Sequence, residues 1–242
     1  MVLLLDFIEK LQEEKMNLMY SLKNIEETFK ERSWWAIIAS LFPAKYITYY
    51  IANHTNITPN QITLISFIFA IFSGISFFFG FFIMGAFLYQ VSYIFDIVDG
   101  SLARVQKKSS QYGAFLDVFT DWIKAPILIV ILLYVQNQLI FLTIILLLLS
   151  WVCCANKYND MLFYTKRKSL SEDDKIQKSK IGKYFQRMES KNIAPLAGNV
   201  EFEALILFFY PITQLQIFIY FSVTLLLLLF ILKVYIIFKK VK

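Results

Sequence analysis

Asp96-Ile-Val-Asp99-Gly100-Ser-Leu-Ala103-Arg104, then eight residues, then Gly113-Ala-Phe-Leu-Asp117-Val-Phe-Thr-Asp121: this stretch carries four aspartates through otherwise apolar sequence. Between Arg32 and Asn159 they are the only acidic residues of the chain. A carboxylate in a bilayer-crossing segment is costly to desolvate, so it is read by default as functional. The rest of the sequence is legible as scaffolding around these four side chains.

The chain has 242 residues, is 58% hydrophobic and 18% aromatic, and carries a formal charge of +6. Long leucine and phenylalanine runs place it in the membrane class, and its apolar stretches reach the roughly 20 residues that cross a bilayer as helix. A cleavable signal peptide is not expected, because Met1 to Leu5 is too short an apolar region and Asp6, Glu9 and Lys10 follow at once. Cys153 and Cys154 are adjacent within an apolar run. A disulfide framework or a thiolate metal site needs other spacings, so they read as small buried hydrophobes.

Residues 3–31 show Leu4, Ile8, Leu11, Leu18, Leu22, Ile25 and Phe29 at helical spacing, with charges on the other face. We expect an amphipathic helical extension over 1–32, lying on a partner or on the bilayer surface. Ser33 to Asn53 is rich in Trp and Tyr (Trp34, Trp35, Tyr46, Tyr49, Tyr50) and is interrupted by Pro43. Such residues prefer the membrane–water boundary, so 33–60 reads as an interfacial helix and the approach to the first span. His54, the only histidine, lies in a polar turn and reads as a surface residue. Thr58 and Pro59 supply a cap and a first-turn proline for the first span. The expected fold is all-α and integral to the membrane, with six spans at about 61–79, 82–104, 113–134, 139–163, 200–216 and 218–238. Within this domain, 61–238, the polar and basic segment 164–198 is a cytoplasmic loop on anionic lipid or the mouth of a phosphate-binding pocket. Glu201 and Glu203, at the start of the fifth span, read as interfacial residues with no special role.

The turns near 79–82, 135–138 and 211–217 carry no charge, whereas all 24 Lys and Arg residues fall elsewhere. The positive-inside rule then places both termini, and with them the aspartates, on the cytoplasmic side. Asp117 and Asp121 are four apart, as are Gly113 and Asp117, so these three share a helix face. Asp96, Asp99, Gly100 and Ala103 are likewise neighbours on the preceding helix. The connection Val105 to Tyr112 is short enough to make the two helices adjacent. Four converging carboxylates repel one another and must pair with cations or take up protons. Hard divalent ions with oxygen ligands answer that need, and two of them could clamp a diphosphate. Small residues at 100, 103 and 113 leave room for a ligand or for close helix packing, and Arg104 suits a phosphate oxygen.

These spacings resemble the signature of the CDP-alcohol phosphotransferase family, Asp-x2-Asp-Gly-x2-Ala-Arg-x8-Gly-x3-Asp-x3-Asp. Every fixed position is matched, by Asp96, Asp99, Gly100, Ala103, Arg104, Gly113, Asp117 and Asp121. Thr58-Pro59-Asn60-Gln-Ile-Thr63 is similar to the family's lead into its first span, and the resemblance covers about residues 40–238. It implies a phospholipid-biosynthesis enzyme that moves a substituted phosphoryl group, as phosphatidyl, from a CDP-linked donor such as CDP-diacylglycerol to an alcohol, releasing CMP. It implies that Asp96, Asp99, Asp117 and Asp121 hold two Mg²⁺ or Mn²⁺ ions and that Asp121 is the general base. Gly100, Ala103, Arg104, Ser110 and Gly113 would border the CDP group, with Asn60 and Thr63 closing the pocket. The family also implies a homodimer in membrane lipid, with no nucleic-acid partner. Trp122 stands where members using a phosphorylated inositol often have Arg. Lys124 is read as a contact for an acceptor phosphate or as a snorkelling side chain.

Three alternatives are distinguishable. A CDP-headgroup transferase acting on a lipid alcohol would carry the lipid on the acceptor. An intramembrane prenyltransferase also uses aspartates and Mg²⁺ but has more spans, with its motifs on distant helices. A divalent-cation transporter would need acids along a path, whereas these four gather near one face. The topology is tested by reporter fusions: a C-terminal fusion should report the cytoplasm, and a periplasmic or lumenal signal would contradict the six-span reading.

Overall fold

The computed structural model describes residues 20–29, 33–149, 151–152 and 199–241. All regular structure among the described residues is helical. Helix α1 spans Leu22–Glu26 and α2 spans Leu41–His54. Helix α3 spans Pro59–Phe78, α4 Phe82–Val105, and α5 Gln111–Val135. Helix α6 covers Leu139–Leu149. Helix α7 (Asn199–Ala204) runs through a π-helical turn, Leu205–Phe209, into α8 (Tyr210–Thr213), and α9 covers Ile217–Val241. Three of these, α3, α4 and α5, are long and apolar enough to cross a membrane. The described parts of the other three expected spans are helical as well, except 214–216, where Gln214 is left-handed and ends the helix. The basic segment 164–198 and Cys153 and Cys154 lie outside the described residues, as does most of the expected N-terminal helix.

Residues 20–29 correct part of that last expectation. Ser21 is extended (ψ 158°), and its side chain accepts the Asn24 N–H, so α1 starts afresh there rather than continuing a helix from upstream. Tyr20 and Asn53 are tied by two hydrogen bonds of 3.0 Å, and Lys45 pairs with Glu26 at 2.6 Å, which pins α1 to α2. Pro43 does not interrupt its segment either. Helix runs from Trp34 to His54, with a π-helical turn at Ala36–Ser40 just before the proline. A proline cannot donate to the carbonyl four residues back, and its ring crowds that carbonyl; a wider turn at that point relieves both problems. Pro211 follows the second π-helical turn for the same reason. His54 is exposed, as expected, and its ring lies 5.2 Å from that of Tyr50.

Helix α3 opens as its sequence requires. Thr58 Oγ1 accepts the Gln61 N–H while Gln61 Oε1 accepts the Thr58 N–H, and Pro59 fills the first turn. Three reversals fold the chain back on itself, at Gly80 (φ 80°), Lys107 (φ 53°) and Asn137 (φ 55°). Each puts one residue in the left-handed region, and the next residue's N–H bonds the carbonyl five back: Phe81 to Ser76, Lys108 to Ala103, Gln138 to Leu133. Helices α3, α4 and α5 are therefore antiparallel neighbours. The start of α3, the end of α4 and the start of α5 meet at one end.

Small residues bring α3 and α4 close. Ser66 and Ser92 exchange hydroxyl-to-carbonyl bonds of 2.9 and 2.8 Å, and Ser73 Oγ donates to the Gly85 carbonyl at 2.7 Å. A Cβ at Gly85 would lie 2.4 Å from the ring of Phe77, which is fully buried. Away from the aspartate end, Phe77, Leu128, Ile129, Leu132, Ile145, Ile206 and Ile219 form the main core. Beneath the aspartates, Ala44, Ile62, Ile97, Val98 and Leu102 form a second one. Overpacking such a contact costs about 1–3 kcal/mol. Gly85→Ala should therefore lower the thermal midpoint in detergent, and the further change Phe77→Leu should recover part of it. An unchanged midpoint in Gly85→Ala would contradict the packing described.

Candidate metal centre and adjoining cleft

Asp96 and Asp99 sit one turn apart near the end of α4, and Asp117 sits in the second turn of α5. One carboxylate oxygen from each of these three lies within 4.8 Å of the others. Asp99 is buried, at 4% exposure, and its Oδ2 accepts the Thr63 hydroxyl at 2.5 Å. Helix α3 thus orients a ligand carried by α4. Asp121 is outside this trio; its side chain is half exposed and is drawn to Lys124 at 3.0 Å.

Lys124 is a buried cation of the site. Its side chain is only 9% exposed, and its Nζ meets Asp96 Oδ1, Asp121 Oδ1 and, at 3.3 Å, Ser66 Oγ. Sequence spacing predicts the Asp121 contact, one turn away on α5. It does not predict the contacts to Asp96 on α4 and Ser66 on α3. Lys124 therefore ties three helices together at the aspartates and does not snorkel.

Lys124 and the Arg104 guanidinium, which also acts on Asp117, together carry two positive charges against four aspartates. Two carboxylates 4.8 Å apart repel by about 3 kcal/mol at an effective dielectric of about 20. Three oxygen donors so placed fit a hard divalent ion such as Mg²⁺ or Mn²⁺ better than a soft one. The hydrogen bond from Thr63 gives Asp99 the kind of outer support that fixes a ligand's orientation.

The other motif residues border the same end. A Cβ at Gly113 would lie 3.0 Å from Asn60 Oδ1 and 3.1 Å from Ser110 Oγ, so glycine lets α5 begin tight against the start of α3. Ser110 is the N-cap of α5 and accepts the Gly113 N–H at 2.9 Å. A Cβ at Gly100 would be 3.3 Å from both terminal nitrogens of Arg104, so the guanidinium folds back over the glycine. The Ala103 carbonyl receives the Lys108 N–H that closes the turn. Asn60, Thr63, Gly100, Ala103, Arg104, Ser110 and Gly113 are thereby brought around the trio.

A cleft of about 320 Å³ adjoins Asp96 and Asp121. Its other lining side chains include Tyr89, Tyr93, Trp122, Lys124 and Glu203. Tyr89 Oη donates to Glu203 Oε2 at 3.1 Å. Here the sequence reading of Glu201 and Glu203 as interfacial residues needs correction. Glu201 is fully buried and accepts the Trp34 N–H at 2.9 Å, and Glu203 faces the cleft. Two acids at the start of an apolar helix were the available signal, by the same rule that marks the aspartates. A second, apolar groove of about 330 Å³ lies between α3 and α5, lined by Phe67, Ala70, Gly74, Phe78, Ile127 and Ile131, and it too reaches Lys124.

A family model described as CDP-alcohol phosphatidyltransferase matches residues 56–238. Among curated proteins, the chain is similar to a bifunctional IPC transferase and DIPP synthase of Archaeoglobus fulgidus, 43% identical over 65 residues, or 27% of this chain and 13% of that protein. It is similar to a protein of the same description from Aquifex aeolicus, 36% identical over 64 residues, 26% of this chain and 15% of that protein. An archaetidylinositol phosphate synthase of Pyrococcus horikoshii is 37% identical over 65 residues, 27% of this chain and 35% of that protein. The chain thus spans between 13 and 35% of the length of these relatives.

The balance of charge is testable through Lys124. Removing one partner of a buried pair leaves the other uncompensated at a cost of about 3–5 kcal/mol. Lys124→Met should therefore lower the thermal midpoint in EDTA, and Mg²⁺ should raise the variant's midpoint more than the wild type's. Equal Mg²⁺ shifts in the two proteins would contradict a shared role of Lys124 and metal in neutralising the aspartates.

Proposed function

The chain belongs to the CDP-alcohol phosphatidyltransferase family, and from that premise we propose that it transfers a substituted phosphoryl group from a CDP-linked lipid to an alcohol, with release of CMP. The observation that carries this reading is the trio of carboxylate oxygens within 4.8 Å, drawn from two consecutive membrane helices. Phosphoryl transfer asks little covalent chemistry of a protein; it needs positioning and stabilisation of charge. Asp96, Asp99 and Asp117 hold divalent metal, with Asp121 beside them. When bound, Mg²⁺ or Mn²⁺ supplies charge neutralisation at the diphosphate oxygens.

The protein's own residues do the rest. Gly100 and Gly113 keep the floor low beneath the cytidine diphosphate, with Asn60, Ala103 and Ser110 at its border. Arg104 meets a phosphate oxygen through its paired N–H groups. Thr63 holds Asp99 in place, and Lys124 holds Asp96 and Asp121, which suits it better to positioning than to contact with an acceptor phosphate. Asp121, the most exposed of the four and a wall of the cleft, takes the proton of the acceptor hydroxyl. The hydroxyl oxygen then bonds to the phosphorus that carries the lipid, and the bond from that phosphorus to the CMP oxygen breaks. The apolar groove between α3 and α5 supports a lipid on the donor, since it leads from Lys124 along the membrane-spanning faces.

The six-span arrangement, with both termini and the site on the cytoplasmic side, is part of the proposal, as is a homodimer. One relative's name, archaetidylinositol phosphate synthase, is consistent with a place in phospholipid synthesis. A positioned general base contributes about 10²–10⁴-fold. Asp121→Asn should therefore lose CMP release by at least about that factor while keeping its thermal midpoint. Near-normal turnover in that variant would refute the base assignment.

A further inference from the structure

Resting on the metal-assisted transfer above, we propose that residues 20–29 brace the metal centre, and that Thr28 is a positioning residue that holds α4 from behind and so fixes where Asp99 presents its carboxylate. These residues precede the part of the chain that the family model matches, 56–238. Helix α1 packs on both α2 and α4. Its Ile25 is fully buried, and Phe29 packs against the core that contains Val98 and Leu102 of α4. The bonds from Tyr20 to Asn53 and from Lys45 to Glu26 anchor the segment on α2, so its far end bears on α4 from a fixed support.

The contact that reaches the site is made by a hydroxyl. Thr28 Oγ1 lies 2.5 Å from Ser101 Oγ and 2.6 Å from the Ile25 carbonyl oxygen. A hydroxyl has a single proton. That of Thr28 goes to the carbonyl, so Ser101 donates to Thr28. Ser101 is fully buried and lies two residues beyond Asp99 on α4. Residues two apart on a helix project about 200° apart, so Ser101 and Asp99 face opposite ways. Asp99 is bonded on its own side by Thr63 of α3. The last turns of α4 are thus gripped in front by α3 and behind by the N-terminal segment. A ligand group has to be held to within about 0.5 Å. Loss of the rear grip lets α4 turn about its axis, and turning carries Asp99 away from Asp117, which stands on a different helix.

The test uses the full-length protein in lipid nanodiscs, stripped of metal. Mn²⁺ is titrated in and read by electron paramagnetic resonance, and the thermal midpoint in EDTA is measured alongside. Thr28→Val keeps the shape of the side chain and removes the acceptor. It should raise the Kd for Mn²⁺ about tenfold, the lower end of what loss of an outer partner of a metal ligand does. Thr28→Ser keeps the hydroxyl and should bind Mn²⁺ as the wild type does. Ser101→Ala removes the donor and leaves Thr28 bonded to the Ile25 carbonyl. It should weaken binding as Thr28→Val does, and it carries the test where Thr28→Val fails to fold. Wild-type affinity in Thr28→Val and Ser101→Ala, whatever the midpoint does, would overturn the brace and leave the metal centre standing. So would a loss of affinity in Thr28→Ser equal to that in Thr28→Val. Absence of saturable Mn²⁺ binding by the wild type would overturn the metal centre, and the brace with it.

Discussion

Three carboxylates held within 4.8 Å at the end of a membrane bundle are a standing source of repulsion, and much of the local structure serves to bear it. The aspartates cannot separate, because α3 and α4 are laced by reciprocal serine bonds and α4 is turned into α5 by a single left-handed residue, Lys107. Ser110 fixes where α5 begins, and Gly113 lets it begin against α3. Rigid helices hold the charges close; a buried lysine offsets part of the cost; what is left is a set of three carboxylate oxygens that could hold a metal ion. On this view the metal centre is a consequence of packing small residues where side-chain bulk would have driven the helices apart.

The same economy of space separates the surroundings of the trio by chemistry. Toward the helix ends lie the backbone-rich surfaces of Gly100 and Gly113 and the guanidinium of Arg104. Toward α7 lies a cleft with Glu203, Tyr89 and Trp122. Along α3 and α5 lies an apolar groove. A nucleotide, a small polar alcohol and a hydrocarbon chain differ in what they require of a surface, and these three surfaces differ in the corresponding ways. Lys124 touches both the cleft and the groove, so the residue that stabilises the aspartates also stands where the three regions meet.

Much of this was legible in the sequence, because it is written in local spacing. Helices α3, α4 and α5 begin and end within about two residues of the expected limits of the first three spans, since apolar runs, Thr58-Pro59 and the uncharged turns mark them directly. Convergence of the aspartates follows from three- and four-residue intervals plus a short connection, but those intervals put Asp121 with the other three, whereas its carboxylate is drawn to Lys124 outside the trio. What local spacing could not carry was contact between distant segments. Lys124 reaching Asp96 is a relation between two helices, and Glu203 meeting Tyr89 joins positions 114 residues apart. Pro43 was misleading for a different reason: a π-helical turn absorbs the missing hydrogen bond, so a residue that reads as a break sits inside continuous helix. At Ser21, a side-chain cap overrode a helical periodicity that ran straight through it.

The account depends most on a cation being shared by Asp96, Asp99 and Asp117. Electron paramagnetic resonance of Mn²⁺, titrated into the metal-stripped protein with and without CDP, measures that directly. It should show saturable binding that tightens when CDP is present and that is lost in both Asp99→Asn and Asp117→Asn. Mn²⁺ uptake indifferent to CDP and equal in the wild type and the two variants would contradict it.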